Sequence, residues 1–467
     1  MGRELHIMML PWCAFGHLIP FFRLSIALAK SGVHVSFIST PKNIQRLPKI
    51  PPNLQTLIQF IEIPMPILED GSLQEHAEAT SDIPTSKMDC LKIAYDLLQH
   101  PLKNLITQQK PEWLIIDLIP HWITEIAQEN EVPLVLFSIF PATATLFLAN
   151  PECLTGEGQK KLRPSWESLT SKPDWIDFPS SLAYRKNEAI DVFQWIYSTN
   201  ASGVSDAERI YKVLSSCQAI AIRTCTEIEG DYLNKLQEVI GKPVIPVGLL
   251  HLEKPKLTAR EMNDEIFKWL DQQKAKSVVY VAFGSEYMLS KDQVFEIAYG
   301  LELSGLPFLW ALRKPNWAKD DLDSLPQGFS EQTYGKGIVS FEWAPQMEIL
   351  GHLSIGGSLI HSGWGSVTET LQFGHCLILL PFVIDQPLIA KFLVEKSLGV
   401  EVERNEEDGS FSRDGIAKAL RIGMVSDQSK DLRARASEAA QMFGDEKLHQ
   451  DYYIAMLVQF LKSKEQI

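Results

Sequence analysis

No apolar run in this 467-residue chain is long enough to cross a bilayer, so a membrane-spanning protein is not expected. Positive charge is in short supply. Lys and Arg number 44 against 58 Asp and Glu, a formal net charge of -14, which argues against nucleic acid or an anionic membrane surface as a partner. Cysteine is sparse as well: Cys13, Cys90, Cys153, Cys217, Cys225 and Cys376 are scattered without CxxC or other metal spacing. In a chain too large to need disulfide staples they read as reduced thiols. The start of the sequence shows no signal-peptide apolar region, because Ile7 to Leu10 is short and strand-like, and His6 spoils the Met-Gly myristoylation pattern. A cytoplasmic location is therefore expected. A long internal repeat and a low-complexity tract are both missing. So is the GxGxxG turn that a nicotinamide dinucleotide demands after the first strand, where the chain reads WCAFGH. That argues against an NAD(P)-dependent dehydrogenase, although the fold class would be shared.

What is present suits two soluble domains of ordinary size, each with enough residues for its own core. The most informative stretch runs from Trp343 to Gln386. It reads as a strand end (IVSFEW), a short helix (QMEILGH), a buried strand (IGGSLIH), the turn HSGWGS, a helix (SVTETLQF), a buried strand (CLILLPF) and a closing Asp385-Gln386. Apolar runs that feed polar or glycine-rich turns and then helices are parallel β–turn–α units, and ligands of such sheets sit at the strands' carboxyl ends.

The turn at 361–366 points to a diphosphate. Gly363 and Gly365 let backbone approach a ligand, Ser366 and Thr368 carry hydroxyls, and a helix starting near Ser366 directs N–H groups and the positive end of its dipole outward. His361 adds a donor at the strand end. Glu369, one helical turn on, suits ribose hydroxyls; Trp343 offers a flat face to a base; Asp385 and Gln386, read as ending the next strand, suit a polyhydroxylated group. A lone GxG after a strand is a weak signal, and the ordered combination is what carries weight.

At the other end of the chain, the strand LHIMMLPW leads through CAFG into a helix beginning near His17 and closed by Gly32. A histidine at a strand-to-helix turn faces the crevice above the sheet, and the helix N-terminus disfavours imidazolium. Capping or surface work suits such a histidine too. Asp117 ends the buried strand Trp113 to Ile116, a place that also suits a turn or helix cap. Further strands are expected at HVSFIST, PLVLFSIF, CQAIAIRTC, KPVIPVGLL, SVVYVAFGS and PFLWALR. Between Ala142 and about Ser205 the pattern weakens into expected loops and short helices. Trp12, Phe15, His121, Trp122, Phe140 and Phe193 are candidates to line an apolar acceptor pocket, and each equally suits ordinary packing.

The ordered set W-x-P-Q at Trp343 to Gln346, His352, Gly356, H-x-G-W-x-S at 361–366, Glu369, Gly374, Pro381 and Asp385-Gln386 resembles the signature box of plant secondary-product UDP-glycosyltransferases. The resemblance extends over essentially the whole chain. It implies a GT-B fold, α/β with two facing Rossmann-like domains and an interdomain cleft. It implies roles for the donor residues: Trp343 stacking on uracil, Glu369 on ribose, His361 and Ser366 on the diphosphate, Trp364 with Asp385 and Gln386 on the sugar. Ala344 and Gln346 belong to the same donor set, Ser285 is expected at the phosphates, and Glu286 at the sugar or acceptor. PWCAFGHLIP resembles the family's N-terminal motif, which makes His17 the catalytic base and Asp117 its hydrogen-bond partner. Two departures stand out: Gly365 replaces the family's usual Asn and removes a side-chain donor, and Cys376 stands where Pro is usual.

The expected organisation is an acceptor-binding domain at 1–250, a UDP-sugar domain at 251–444, and an amphipathic helix at about 445–463 packing back on the first domain. A linker is expected at 251–264. FGHCLILLPFVIDQP and ERNEEDGSFSRDGIAKAL resemble the branch that extends sugars on glycosides, some of whose members use UDP-rhamnose. The expected reaction is inverting transfer of glucose or rhamnose from UDP to a hydroxyl of a flavonoid or terpenoid glycoside or free aglycone, by a monomer without cofactor or metal. Asp321 to Asp323 mimics a metal-binding DxD, but it sits in the polar stretch KDDLDSLPQG with no buried strand before it, and reads as a solvated loop. A nonenzymatic sugar-nucleotide binding protein is the remaining alternative; it would leave His17 and Asp117 without work.

Overall fold

The short Val-, Ile- and Leu-rich runs become parallel strands because helices cover both their faces, so side chains of either parity are buried. The computed structural model describes residues 5–155, 163–250, 264–321, 323–427 and 430–463. Packing divides the chain into two units. One is Met1–Ser168 with Phe193–Leu250 and Glu446–Ile467; the other is Leu169–Val192 with His251–Asp445.

The first unit holds β1 (His6–Leu10), β2 (His34–Ser39), β3 (Ile58–Glu62), β4 (Trp113–Ile116), β5 (Leu134–Ser138), β6 (Ala219–Ile222) and β7 (Val244–Pro246). They pair in the order β3-β2-β1-β4-β5-β6-β7, every pair parallel. Leu10 pairs with Ile116, so the chain leaves β1 and β4 side by side. Strand order reverses there, which opens a crevice at the carboxyl ends. The helix Phe15–Lys30 buries Leu18, Phe21, Leu24 and Leu28 on the sheet and stops at Gly32, whose φ of +79° suits glycine. Ile454, Leu457, Val458 and Leu461 from the end of the chain join the same core, and Trp113 Nε1 donates to the Leu461 carbonyl at 2.9 Å.

The second unit holds β8 (Val278–Ala282), β9 (Phe308–Ala311), β10 (Gly337–Ser340), β11 (Ile355–Ile360), β12 (Cys376–Leu379) and β13 (Gly399–Glu401), in the order β10-β9-β8-β11-β12-β13. Ala282 pairs with Ile360, so its reversal falls between β8 and β11. Each unit is Rossmann-like. β3 and β13 are additions to the strands anticipated from sequence. The weakly patterned region contains the helices Ala142–Leu148 and Lys186–Tyr197. Of the anticipated linker, residues 251–263 lie outside the described residues. Asp323 accepts from the Lys319 N–H and donates its own N–H to Asp320, so this acidic stretch is a loop closed on itself.

Candidate active site

At the reversal of the first sheet, β1 delivers His17 and β4 delivers Asp117. Pro11 to Ala14 turn the chain, and His17 is the third residue of its helix, which starts at Phe15. His17 Nδ1 lies 2.8 Å from Asp117 Oδ2; the aspartate is 1% exposed and the histidine 17%. Asp117 is held from two further sides, by the Trp12 N–H at 3.0 Å on Oδ2 and the Leu118 N–H at 2.7 Å on Oδ1. The turn-capping role and the orienting role therefore coexist in one carboxylate. With Asp117 ionised, Nδ1–H donates and the lone pair resides on Nε2. The Phe140 ring stands edge-on to His17 at 5.7 Å.

Behind this pair, Tyr95 is buried and its hydroxyl donates to the Pro11 carbonyl at 2.8 Å, while its ring meets Trp12 edge-on at 4.9 Å. Tyr95 was not anticipated; nothing local in the helix Met88–Asp96 marks it. Trp12 and Trp122 are both 5% exposed. Trp122 Nε1 donates to Asp96, which also takes both terminal nitrogens of the fully buried Arg209. His121 meets Arg209 at 3.1 Å, and burial and that guanidinium lower its pKa. Phe15 lies under the Arg46 guanidinium at 5.7 Å, and Phe193 packs on Tyr197 at 4.8 Å. Of the anticipated acceptor residues, the structure therefore sets Trp12 and Phe140 directly against the His17–Asp117 pair.

At the reversal of the second sheet, His361 directly follows β11, Ser362 adopts a left-handed φ of +66°, and Gly363 caps the helix Trp364–Leu371. That helix begins two residues before Ser366, which is its third residue. Its first-turn N–H groups have no intrahelical acceptors and, with the dipole, form a positive end. Trp364, its first residue, is 3% exposed. Thr368 is also buried, and its hydroxyl donates back to the Gly365 carbonyl at 2.9 Å, not outward.

The His361 ring fills the space between two glycines. A Cβ on Gly363 would lie 2.5 Å from Nε2, and one on Gly284, in the turn after β8, 2.9 Å from Cε1. Gly363 thus admits the imidazole, where the sequence suggested approach to a ligand, and Gly284 shares the task unforeseen. Burial pushes the His361 pKa down to about 4, against the pull of the Ala282 carbonyl, so the ring is neutral. Ser285 and Glu286 are exposed in the same turn, and the Ser285 carbonyl accepts from Arg313.

Glu369 does not stand alone. Gln346 Nε2 donates to its Oε2 at 2.6 Å, and the buried Tyr280 hydroxyl donates to Gln346 Oε1 at 3.1 Å. Trp343 lies three residues beyond the end of β10 and is 77% exposed; Ala344 beside it packs on the core. Asp385 and Gln386 do not end a strand: Asp385 precedes, and Gln386 begins, the helix Gln386–Glu395. Gln386 Oε1 accepts from the Phe382 and Val383 N–H groups at 2.9 and 3.1 Å, and its amide nitrogen takes no part in these two bonds. A neutral imidazole, a helix N-terminus, hydroxyls and an anchored carboxylate in one crevice suit a diphosphate joined to a ribose.

Comparison with known proteins agrees with this chemistry. Residues 198–435 match the model of a family described as UDP-glucoronosyl and UDP-glucosyl transferase. The soyasaponin III rhamnosyltransferase of Glycine max is 39% identical over 96% of this chain and 94% of its own. The flavanone 7-O-glucoside 2''-O-beta-L-rhamnosyltransferase of Citrus maxima is 32% identical over 98% of each. Among solved structures, a Glycyrrhiza uralensis glycosyltransferase complexed with glycyrrhetinic acid 3-O-monoglucuronide shares the fold with a TM-score of 0.76, at 22% identity over 99% of this chain and 96% of that one.

Proposed function

The chain belongs to the plant UDP-glycosyltransferases, with the GT-B fold, and we propose that it transfers glucose or rhamnose from a UDP-sugar to a sugar hydroxyl of a flavonoid or terpenoid glycoside. That it is a UDP-dependent glycosyltransferase follows from membership; the sugar and the acceptor are the proposal. The observation that carries the chemistry is the 2.8 Å contact between His17 Nδ1 and the buried Asp117. Nε2 of His17 takes the acceptor hydroxyl's proton while its oxygen attacks the anomeric carbon, and Asp117 stabilises the imidazolium that forms. UDP leaves from the opposite face, so configuration inverts. Its growing negative charge is met by the helix end at Ser366, by His361 and by Ser285, with no metal called for. Gly365 supplies only backbone at the position where the family usually places an Asn side chain.

Two similarities support the glycoside acceptor: the Citrus relative is named for adding rhamnose to a glucoside, and the Glycine relative for a saponin rhamnosyl transfer. Among the described residues no helix is long and apolar enough to cross a membrane, and a cytoplasmic monomer suits the reading. A mass-spectrometric assay tests it, crossing UDP-glucose, UDP-rhamnose, UDP-galactose and UDP-xylose with aglycones and their monoglycosides. Product confined to glycosides is the expected result; product from free aglycones alone would discard the acceptor assignment.

A further inference from the structure

Beyond β12 the chain passes through Pro381 to Asp385 before the helix Gln386–Glu395, and this loop is held by side chains from three places. Gln386 takes the N–H groups of Phe382 and Val383. Arg404, 6% exposed, donates to the Pro381 carbonyl, and its guanidinium lies 5.7 Å from the centre of the Phe382 ring. The Tyr184 hydroxyl donates to the Ile384 carbonyl at 2.7 Å across 200 residues of sequence. Ile384 itself sits at φ +46°, a left-handed conformation that a β-branched residue rarely adopts. Such a conformation persists only where surrounding contacts over-determine it, and these conformations gather at ligand clamps.

Tyr184 is itself firmly seated. It lies in the Leu169–Val192 segment, which groups with the second unit although it precedes that unit's first strand by about ninety residues. Its neighbour Arg185 is buried and pairs with Glu188 at 3.2 Å and Glu401 at 2.8 Å. Arg404 approaches the same Glu188 at 3.8 Å, so one ion network anchors both the tyrosine segment and the arginine that holds Pro381. Asn187 packs so closely on Gly409 that a Cβ there would fall 2.3 Å from its side-chain nitrogen.

We infer that Tyr184 is a positioning residue for the donor sugar. By fixing the Ile384 carbonyl in its left-handed turn, its hydroxyl sets where the Asp385 carboxylate and the Gln386 amide nitrogen meet the hexosyl group of a UDP-sugar. The inference rests on the reading that Asp385 and Gln386 face that sugar.

Tyr184→Phe removes the hydroxyl and keeps the ring. The expected result is a donor KM raised about fivefold or more, the effect of one ordinary lost hydrogen bond, with the Kd of UDP, which has no hexosyl group, within about twofold of wild type. Ile384→Gly, which accepts the same φ but frees the loop, is expected to shift the donor KM in the same direction. An unchanged donor KM in both variants, or UDP and UDP-sugar weakened alike, would overturn the inference. Asp385→Asn, measured alongside, separates the two levels. If it raises the donor KM while Tyr184→Phe and Ile384→Gly do not, the positioning role fails alone; if Asp385→Asn has no effect, the sugar-site reading fails and takes the inference with it.

Discussion

His17 and Asp117 lie 100 residues apart in sequence and 2.8 Å apart in space. Asp117 was visible as a polar residue at the end of an apolar run and His17 as one at a strand-to-helix turn, and the pairing of β1 with β4 is what joins them. If the carboxylate holds the imidazole in its working tautomer, His17→Ala and Asp117→Asn should each lower kcat by roughly 10²–10⁴-fold while leaving the Kd of UDP almost unchanged. Steady-state kinetics with UDP binding by calorimetry checks both; lost UDP affinity would mark the pair as structural. Glu369 teaches the complementary lesson. Its position one turn along a helix was legible, but its anchor, Gln346, and the Tyr280 behind it depend on packing that no local pattern encodes. Glu369→Ala should weaken UDP-sugar binding by about 1–3 kcal/mol, the cost of losing a charge-assisted hydrogen bond. Direct titration reads it, and an unchanged affinity removes Glu369 from the site. The sugar role of Trp364 was legible only through resemblance, and the residue is buried.

At the scale of elements, fully buried strands announce themselves as apolar runs, which is why β1, β4, β8 and β11, the four that frame the crevices, were readable. β3 and β13 were not: one is half-exposed at the sheet edge and the other three residues long, so neither shows a clean pattern. The helix Trp364–Leu371 began earlier than expected because Gly363 and the left-handed Ser362, rather than the hydroxyl of Ser366, mark its start. His375, between that helix and β12, is 4% exposed and contacts the Leu350 carbonyl at 2.6 Å. Burial pushes its pKa down to about 4 from an ordinary 6.5. Between those values the unfolded chain binds the extra proton, so stability is complete above about pH 6.5 and falls as the pH drops toward 4. The shift corresponds to about 3 kcal/mol over that window. Denaturant unfolding at pH 4.5 and 7.5 measures it, and His375→Gln, which keeps a donor for Leu350, should reduce the difference, with the equally lowered His361 supplying part of what remains.

For the whole molecule, the parallel α/β character was legible in the β–turn–α units along the chain, and the GT-B arrangement through the family resemblance. The grouping of Leu169–Val192 with the second unit was not, since it follows from buried ion pairs made by Arg185 rather than from any periodicity. Both candidate clusters stand where their sheets reverse strand order, one bearing an aspartate-held histidine and the other a helix N-terminus beside a neutral imidazole. The central claim joining them is single-displacement transfer with His17 as base. Its most direct test is the anomeric configuration of the first-formed product, followed by NMR with the donor that the transfer assay selects. The account predicts a product wholly inverted relative to the UDP-sugar, and none above background from His17→Ala. Retained configuration, or an undiminished rate in that variant, would contradict it.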